Sequence, residues 1–221
     1  MNYEKLNHLD FIGIYRILNI SGKTEISDDL KVCTQAQELQ IRKEKKGPNA
    51  WCQTSKYTRK QIKIVEASTS DNPTLTSEWG DDSEQITEFH ILFGKKLNIG
   101  DTFTFSYMFS QPLESTTLSN IPLLTTTSLI TIPKAYGTHC DSFEWEIHGP
   151  SKSRILQSLP PWQVRAQNEL YLSTRLRPHE FMSAVFLLHK GPVNDKVAKI
   201  LVSTGGALFS GGVGYLISLA L

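Results

Sequence analysis

The chain has 221 residues, 23 Lys and Arg against 22 Asp and Glu, and 39% hydrophobic residues. That length suits one domain of ordinary size with a substantial core, and the near-neutral charge excludes a global field drawing the molecule to nucleic acid or acidic substrates. Three cysteines, Cys33, Cys52 and Cys140, are an odd number at no repeated spacing, which favours free thiols in a reducing compartment over a disulfide framework.

The opening MNYEKLNHLDFIGIYRI carries acidic residues and no uninterrupted apolar core, so it does not read as a secretory signal. From about residue 10 to 190 the pattern predicts strands, as short runs rich in Ile, Thr, Phe and Tyr are separated by Gly, Pro, Asn, Asp and Ser. The expected runs are 11–20, 39–43, 50–57, 61–67, 89–93, 102–109, 128–132, 142–148, 169–176 and 181–189. In the clearest of them, TFTFSYMF, Phe103, Phe105, Tyr107 and Phe109 alternate with Thr104, Ser106 and Met108, giving one aromatic face and one largely polar face. Residues 94–101, GKKLNIGD, have the glycines and Asn98 of a turn joining two antiparallel strands. Residues 111–127 and 149–167 read as long loops, either binding segments or edge-covering structure. About ten short strands without intervening helices predict a mainly β fold, an antiparallel β-sandwich with Greek-key-like connections.

Residues 42–63 concentrate positive charge. Arg42, Lys43, Lys45, Lys46, Lys56, Arg59, Lys60 and Lys63 stand against Glu44 alone, +7 in a chain whose net charge is +1. Trp51 and Tyr57 lie inside this segment. Lys45, Lys46, Trp51, Lys56, Arg59 and Lys60 are therefore candidate binding residues, either for anionic lipid headgroups or for a nucleotide stacked on an aromatic ring. The third reading is a solvated hairpin whose lysines protect an edge. The acidic residues 78–88, EWGDDSEQITE, lack the ordered oxygen alternation of a hard-cation loop. The histidines and cysteines show no metal-cage spacing, no Gly-rich phosphate loop opens a helix, and serine never falls in a Gly-x-Ser-x-Gly elbow. The expectation is a chain that is not an enzyme, with no catalytic or metal residues and no cofactor.

Residues 200–221, ILVSTGGALFSGGVGYLISLAL, hold no charge. As a helix they would extend about 33 Å, enough for a hydrocarbon core of about 30 Å. Gly206, Ser210, Gly214 and Ser218 recur at every fourth position and would line one groove for close helix packing, with Ser203, Ala207 and Gly211 beside it. Lys190, Lys196 and Lys199 precede the tail, and the positive-inside tendency would keep that flank on the cytoplasmic side. Three parts are thus expected: a cytoplasmic β domain over 1–192, a basic juxtamembrane linker over 193–199, and a Gly-rich membrane helix over 200–221.

The order of parts, a β-rich cytoplasmic domain followed by a membrane helix, resembles small bacterial effectors of antiphage defence that disrupt the inner membrane when a sensor activates them. It matches no diagnostic residue, and none is carried over. It implies a non-enzymatic effector that forms homo-oligomers in the lipid bilayer and answers a sensor protein or a nucleotide signal. The alternative is a passively tail-anchored binding module for a protein, nucleotide or anionic lipid.

Overall fold

Alternation of apolar and polar residues at period two builds the longest strands, since successive side chains point to opposite faces. The computed structural model describes residues 8–70, 75–79, 87–118, 126–135, 139–159, 162–177 and 181–191. Within them the fold is mainly β. Its strands are β1 (Tyr15–Ile26), β2 (Val32–Lys43), β3 (Ala50–Ser55), β4 (Lys63–Ser68), β5 (Ser77–Trp79), β6 (Thr87–Leu92), β7 (Thr102–Pro112), β8 (Glu114–Thr117), β9 (Thr127–Ala135), β10 (Cys140–His148), β11 (Ser153–Leu159), β12 (Gln163–Ala166), β13 (Glu169–Leu176) and β14 (Phe181–Lys190). A short 3-10 turn, His8–Phe11, precedes β1.

Three sheets form. The largest runs β12-β13-β10-β1-β2-β7-β4, the second β11-β14-β9-β8, and the third β3-β6-β5. Pairing is antiparallel except between β1 and β10, which run parallel. The expectation of a purely antiparallel sheet is corrected there, because the chain between those two strands passes through both smaller sheets before it returns to the large one. One hydrophobic cluster draws on all three sheets, with Ile20, Leu39, Phe105 and Trp145 from the largest, Phe186 and Ile130 from the second, and Phe89 and Trp51 from the third.

The aromatic face of β7 is buried as its alternation predicts, with Phe103, Phe105, Tyr107 and Phe109 all 6% exposed or less. The hairpin expected over residues 94–101 does not form. β6 pairs with β3 and β5, whereas β7 pairs with β2 and β4. The two strands belong to stacked sheets, and Phe89 of β6 meets Phe109 of β7 edge-on at 5.6 Å. The connection between them uses positive φ at Gly94 and Gly100 to change direction.

The two intervals read as long loops contain edge strands. β8 and β11 close the two sides of the second sheet, and β12 closes one side of the first. Their patterns are short and polar; β12 is exposed along its length. Residues 193–221, including Gly206, Ser210, Gly214 and Ser218, lie outside the described residues. Among the described residues no helix is long and apolar enough to cross a membrane.

One close approach joins the two halves of the large sheet. Gly22 of β1 sits in register with Trp145 of β10, and a β-carbon on Gly22 would lie 2.1 Å from the Trp145 ring. The indole is fully buried and donates from Nε1 to Thr24 Oγ1 at 2.9 Å. Gly22→Ala is expected to overpack this contact and lower stability by about 1–3 kcal/mol, read as a reduced denaturant midpoint at unchanged slope.

Candidate functional site

Register assembles a groove on the outer surface of the large sheet. On the face of the large sheet turned away from the aromatic core, Ser173, Glu144, Ser21, Glu38, Ser106 and Ser68 stand in one row across β13, β10, β1, β2, β7 and β4. Tyr171, Glu146, Lys23, Ala36, Met108 and Glu66 form the next row. Strands about 4.8 Å apart give these six-strand rows a length of roughly 24 Å. Between them lies a groove of about 480 Å³.

The groove is acidic. Glu38, Glu66, Glu144 and Glu146 line it with Lys23 as the one cation among its lining residues. Lys23 also pairs with Glu25 at 2.7 Å, and this pairing holds the Glu25 carboxyl below its ordinary range. At the β13 end, Arg165 bonds Glu146 at 2.7 Å and stacks over the Tyr171 ring at 3.4 Å. Ser106 donates to Glu38 at 3.4 Å. Carboxylates held apart on a paired sheet cannot move away from one another, so the surface favours a ligand that brings positive charge in an extended shape.

The basic segment is divided by the fold. Lys45 and Lys46 are exposed in the connection from β2 to β3, while Lys56, Arg59 and Lys60 lie beyond the other end of β3. A six-residue strand separates the two groups by roughly 17 Å. Trp51 does not join either group at the surface. It is 8% exposed and packs against Phe105 at 6.0 Å, so the stacking role expected for it is replaced by a core role. The reason is strand parity, which turns Trp51 inward toward β7. Lys56 is paired with Glu114, and Arg59 lies 5.6 Å over the Trp79 ring.

Lys43, from the same segment, is buried. Its ammonium donates to Gly47 O at 3.1 Å, Asn49 Oδ1 at 2.7 Å and Leu97 O at 3.0 Å. Burial, followed by the charge of Lys96, lowers its pKa from the ordinary lysine value. These three bonds fasten the β2–β3 connection to the β6–β7 connection. Lys95 and Lys96 thereby join Lys45 and Lys46 on neighbouring loops, an association that linear spacing does not reveal.

The cysteines are free thiols. Burial is the main cause that raises the pKa of Cys140 to about 12, and it likewise raises that of Cys52. Both are held protonated at neutral pH, which is unfavourable for a nucleophile.

No family model matches the chain, and no curated protein matches it in sequence. Its fold is similar to parts of solved structures. Native leukotriene A4 hydrolase from Saccharomyces cerevisiae has a TM-score of 0.57 and 10% identity, covering 85% of this chain and 31% of that one. The yeast enzyme in complex with bestatin has a TM-score of 0.56 and 9% identity, covering 86% and 30%. The chain thus spans under a third of the length of these proteins, and the likeness is one of fold.

Removing the Lys43 ammonium is expected to leave buried acceptors on both connections short of a donor. Lys43→Met should therefore reduce stability by about 1–3 kcal/mol, measured by chemical denaturation.

Proposed function

We propose that this chain is a non-enzymatic, membrane-associated binding protein whose acidic groove takes an extended Lys- or Arg-bearing segment of a partner. The observation that carries this reading is the alignment of Glu38, Glu66, Glu144 and Glu146 on one open sheet face. Met108, Ala36 and Tyr171 supply apolar surface between the charges, which suits the methylene stems of lysine and arginine. The protonated state of the Cys140 thiol supports a binding role over nucleophilic catalysis at that residue. In this reading the β domain is a sandwich-like receptor on the cytoplasmic side. Residues 200–221 form its membrane helix, and the two pairs of lysines at 45, 46, 95 and 96 lean on anionic lipid.

The groove is tested by titrating a fluorescent Lys/Arg-rich peptide into the full chain. Exposed charge pairs contribute about 0.2–1 kcal/mol each, so Glu38→Gln with Glu144→Gln should weaken binding about 2- to 30-fold, with the difference shrinking at high salt. Equal affinity for an acidic peptide of the same length would reject the cationic-partner reading.

A second reading, the oligomerising effector, is favoured by the fourfold spacing of Gly206, Ser210, Gly214 and Ser218. Here copies associate through the tail and permeabilise the bilayer on activation by a sensor protein or nucleotide. Deleting residues 197–221 should release the β domain from the membrane fraction in either reading. Gly206→Leu with Gly214→Leu separates them, since bulky side chains hold helices apart while improving lipid solubility. Smaller oligomers in detergent and lost vesicle leakage would support the effector, whereas unchanged oligomer size with retained localisation would support the passive anchor.

A further inference from the structure

On the outer face of the third sheet, β3 and β6 place Cys52 directly opposite His90, and Glu88 lies two residues from His90 on the same face. The 3-10 turn at residues 8–11 covers them. Its Phe11 ring packs 4.9 Å from the His90 ring, and its His8 Nδ1 lies 2.5 Å from Glu88 Oε1. The second carboxylate oxygen, Glu88 Oε2, is 3.9 Å from Cys52 Sγ and 3.8 Å from His90 Nε2. Donor atoms of Cys52, Glu88 and His90 all lie within 4.8 Å of one another. The fold thus brings a thiol, a carboxyl and an imidazole to one point, with the His8 imidazole bonded to the far oxygen of the carboxyl.

The spacing suits a small ion. Zinc bonds of about 2.0–2.3 Å at a tetrahedral centre put neighbouring donor atoms about 3.3–3.7 Å apart. The distances of 3.8 and 3.9 Å need only a few tenths of an ångström of contraction to reach that range. Burial adds to the case. Glu88 is 3% exposed and His90 0%, so this is an interior carboxyl enclosed with a thiol and an imidazole. A metal ion at the centre would neutralise the carboxylate and stabilise the thiolate form of Cys52, whose pKa burial and Glu88 otherwise raise. The donor set of sulfur, nitrogen and oxygen excludes a site built for calcium or magnesium, which take oxygen ligands.

We propose that Cys52, Glu88 and His90 form a buried site for zinc or a similar divalent transition ion, with His8 of the turn at residues 8–11 positioning the Glu88 carboxylate through its outer oxygen. Entry is from the side of His8, whose side chain is 39% exposed. A second cluster, Glu146, His148 and Glu169, serves as a contrast. It has no sulfur donor, and its Glu146 is already engaged by Arg165.

The test uses the full-length chain, stripped of metal and titrated with zinc against a chromophoric chelator, then loaded with cobalt(II) for absorption spectroscopy. About one zinc ion per chain should bind, and the cobalt form should show a thiolate-to-metal charge-transfer band. Loss of an outer partner alone typically lowers metal affinity about 10- to 100-fold, so Cys52→Ser should weaken binding at least about tenfold and abolish the band. His148→Gln should change neither. Absence of stoichiometric zinc binding, absence of the band in the unsubstituted protein, or equal affinity in Cys52→Ser would each overturn the site. If Cys52→Ser fails to fold, the cobalt spectrum of the unsubstituted chain decides alone.

Discussion

The aromatic ladder of β7 is the constraint on which the other elements depend. Phe103, Phe105, Tyr107 and Phe109 follow one another at centroid distances of 5.9, 6.0 and 6.1 Å along a single face. A slip of one residue in pairing would turn all four rings into water, so this strand tolerates one register. Its neighbours β2 and β4 inherit that register through the ladder of backbone bonds. The third sheet is held above it by Phe89, Phe93 and Trp51, each against β7 rings at 4.6 to 6.2 Å. Each well-placed ring pair adds about 0.5–1.5 kcal/mol beyond its buried area.

A strongly buried inner face leaves the outer face free to be polar. Ser21, Lys23, Glu38, Ser106 and Glu144 alternate with Gly22, Gln37, Leu39, Tyr107 and Trp145, so the surface rows and the core rows are the same strands read at opposite parity. The Gly22–Trp145 contact matters to the groove for this reason. It lies at the parallel seam between β1 and β10, where Ser21 and Glu144 meet on the outside. The outer face is thus backed by the packing beneath it.

Strand patterning was legible wherever burial was one-sided and the run long. Residues 169–176 were read with their observed bounds, and the β7 face was read in full, because period two and aromatic content agree there. The edge strands β8, β11 and β12 were missed, since an edge has fewer neighbours to enforce an apolar alternation. The first half of β2, VCTQAQE, was missed for another reason. Gln35 and Gln37 are 1% and 3% exposed, so polar residues occupy inward positions and mask the period. The basic residues were legible as a charge cluster in the chain but not as a surface. Trp51 among them is a core residue, Lys43 a buried tie, and the partners of Lys45 and Lys46 lie fifty residues further on.

The sequence by itself determined the local quantities: mainly β structure, the inward face of β7, the free-thiol count, and an uncharged stretch long enough to span a bilayer at residues 200–221. Each of these follows from period, composition or length within one segment. Tertiary structure alone decided the parallel pairing of β1 with β10, the stacking of β6 on β7, and the two rows of the acidic groove. It also brought His8 and Cys52 to Glu88 and His90. Such features join residues far apart in the chain, as the Arg16–Asp141 ion pair joins positions 125 apart, and only inter-strand register and the shared core determine which of them meet.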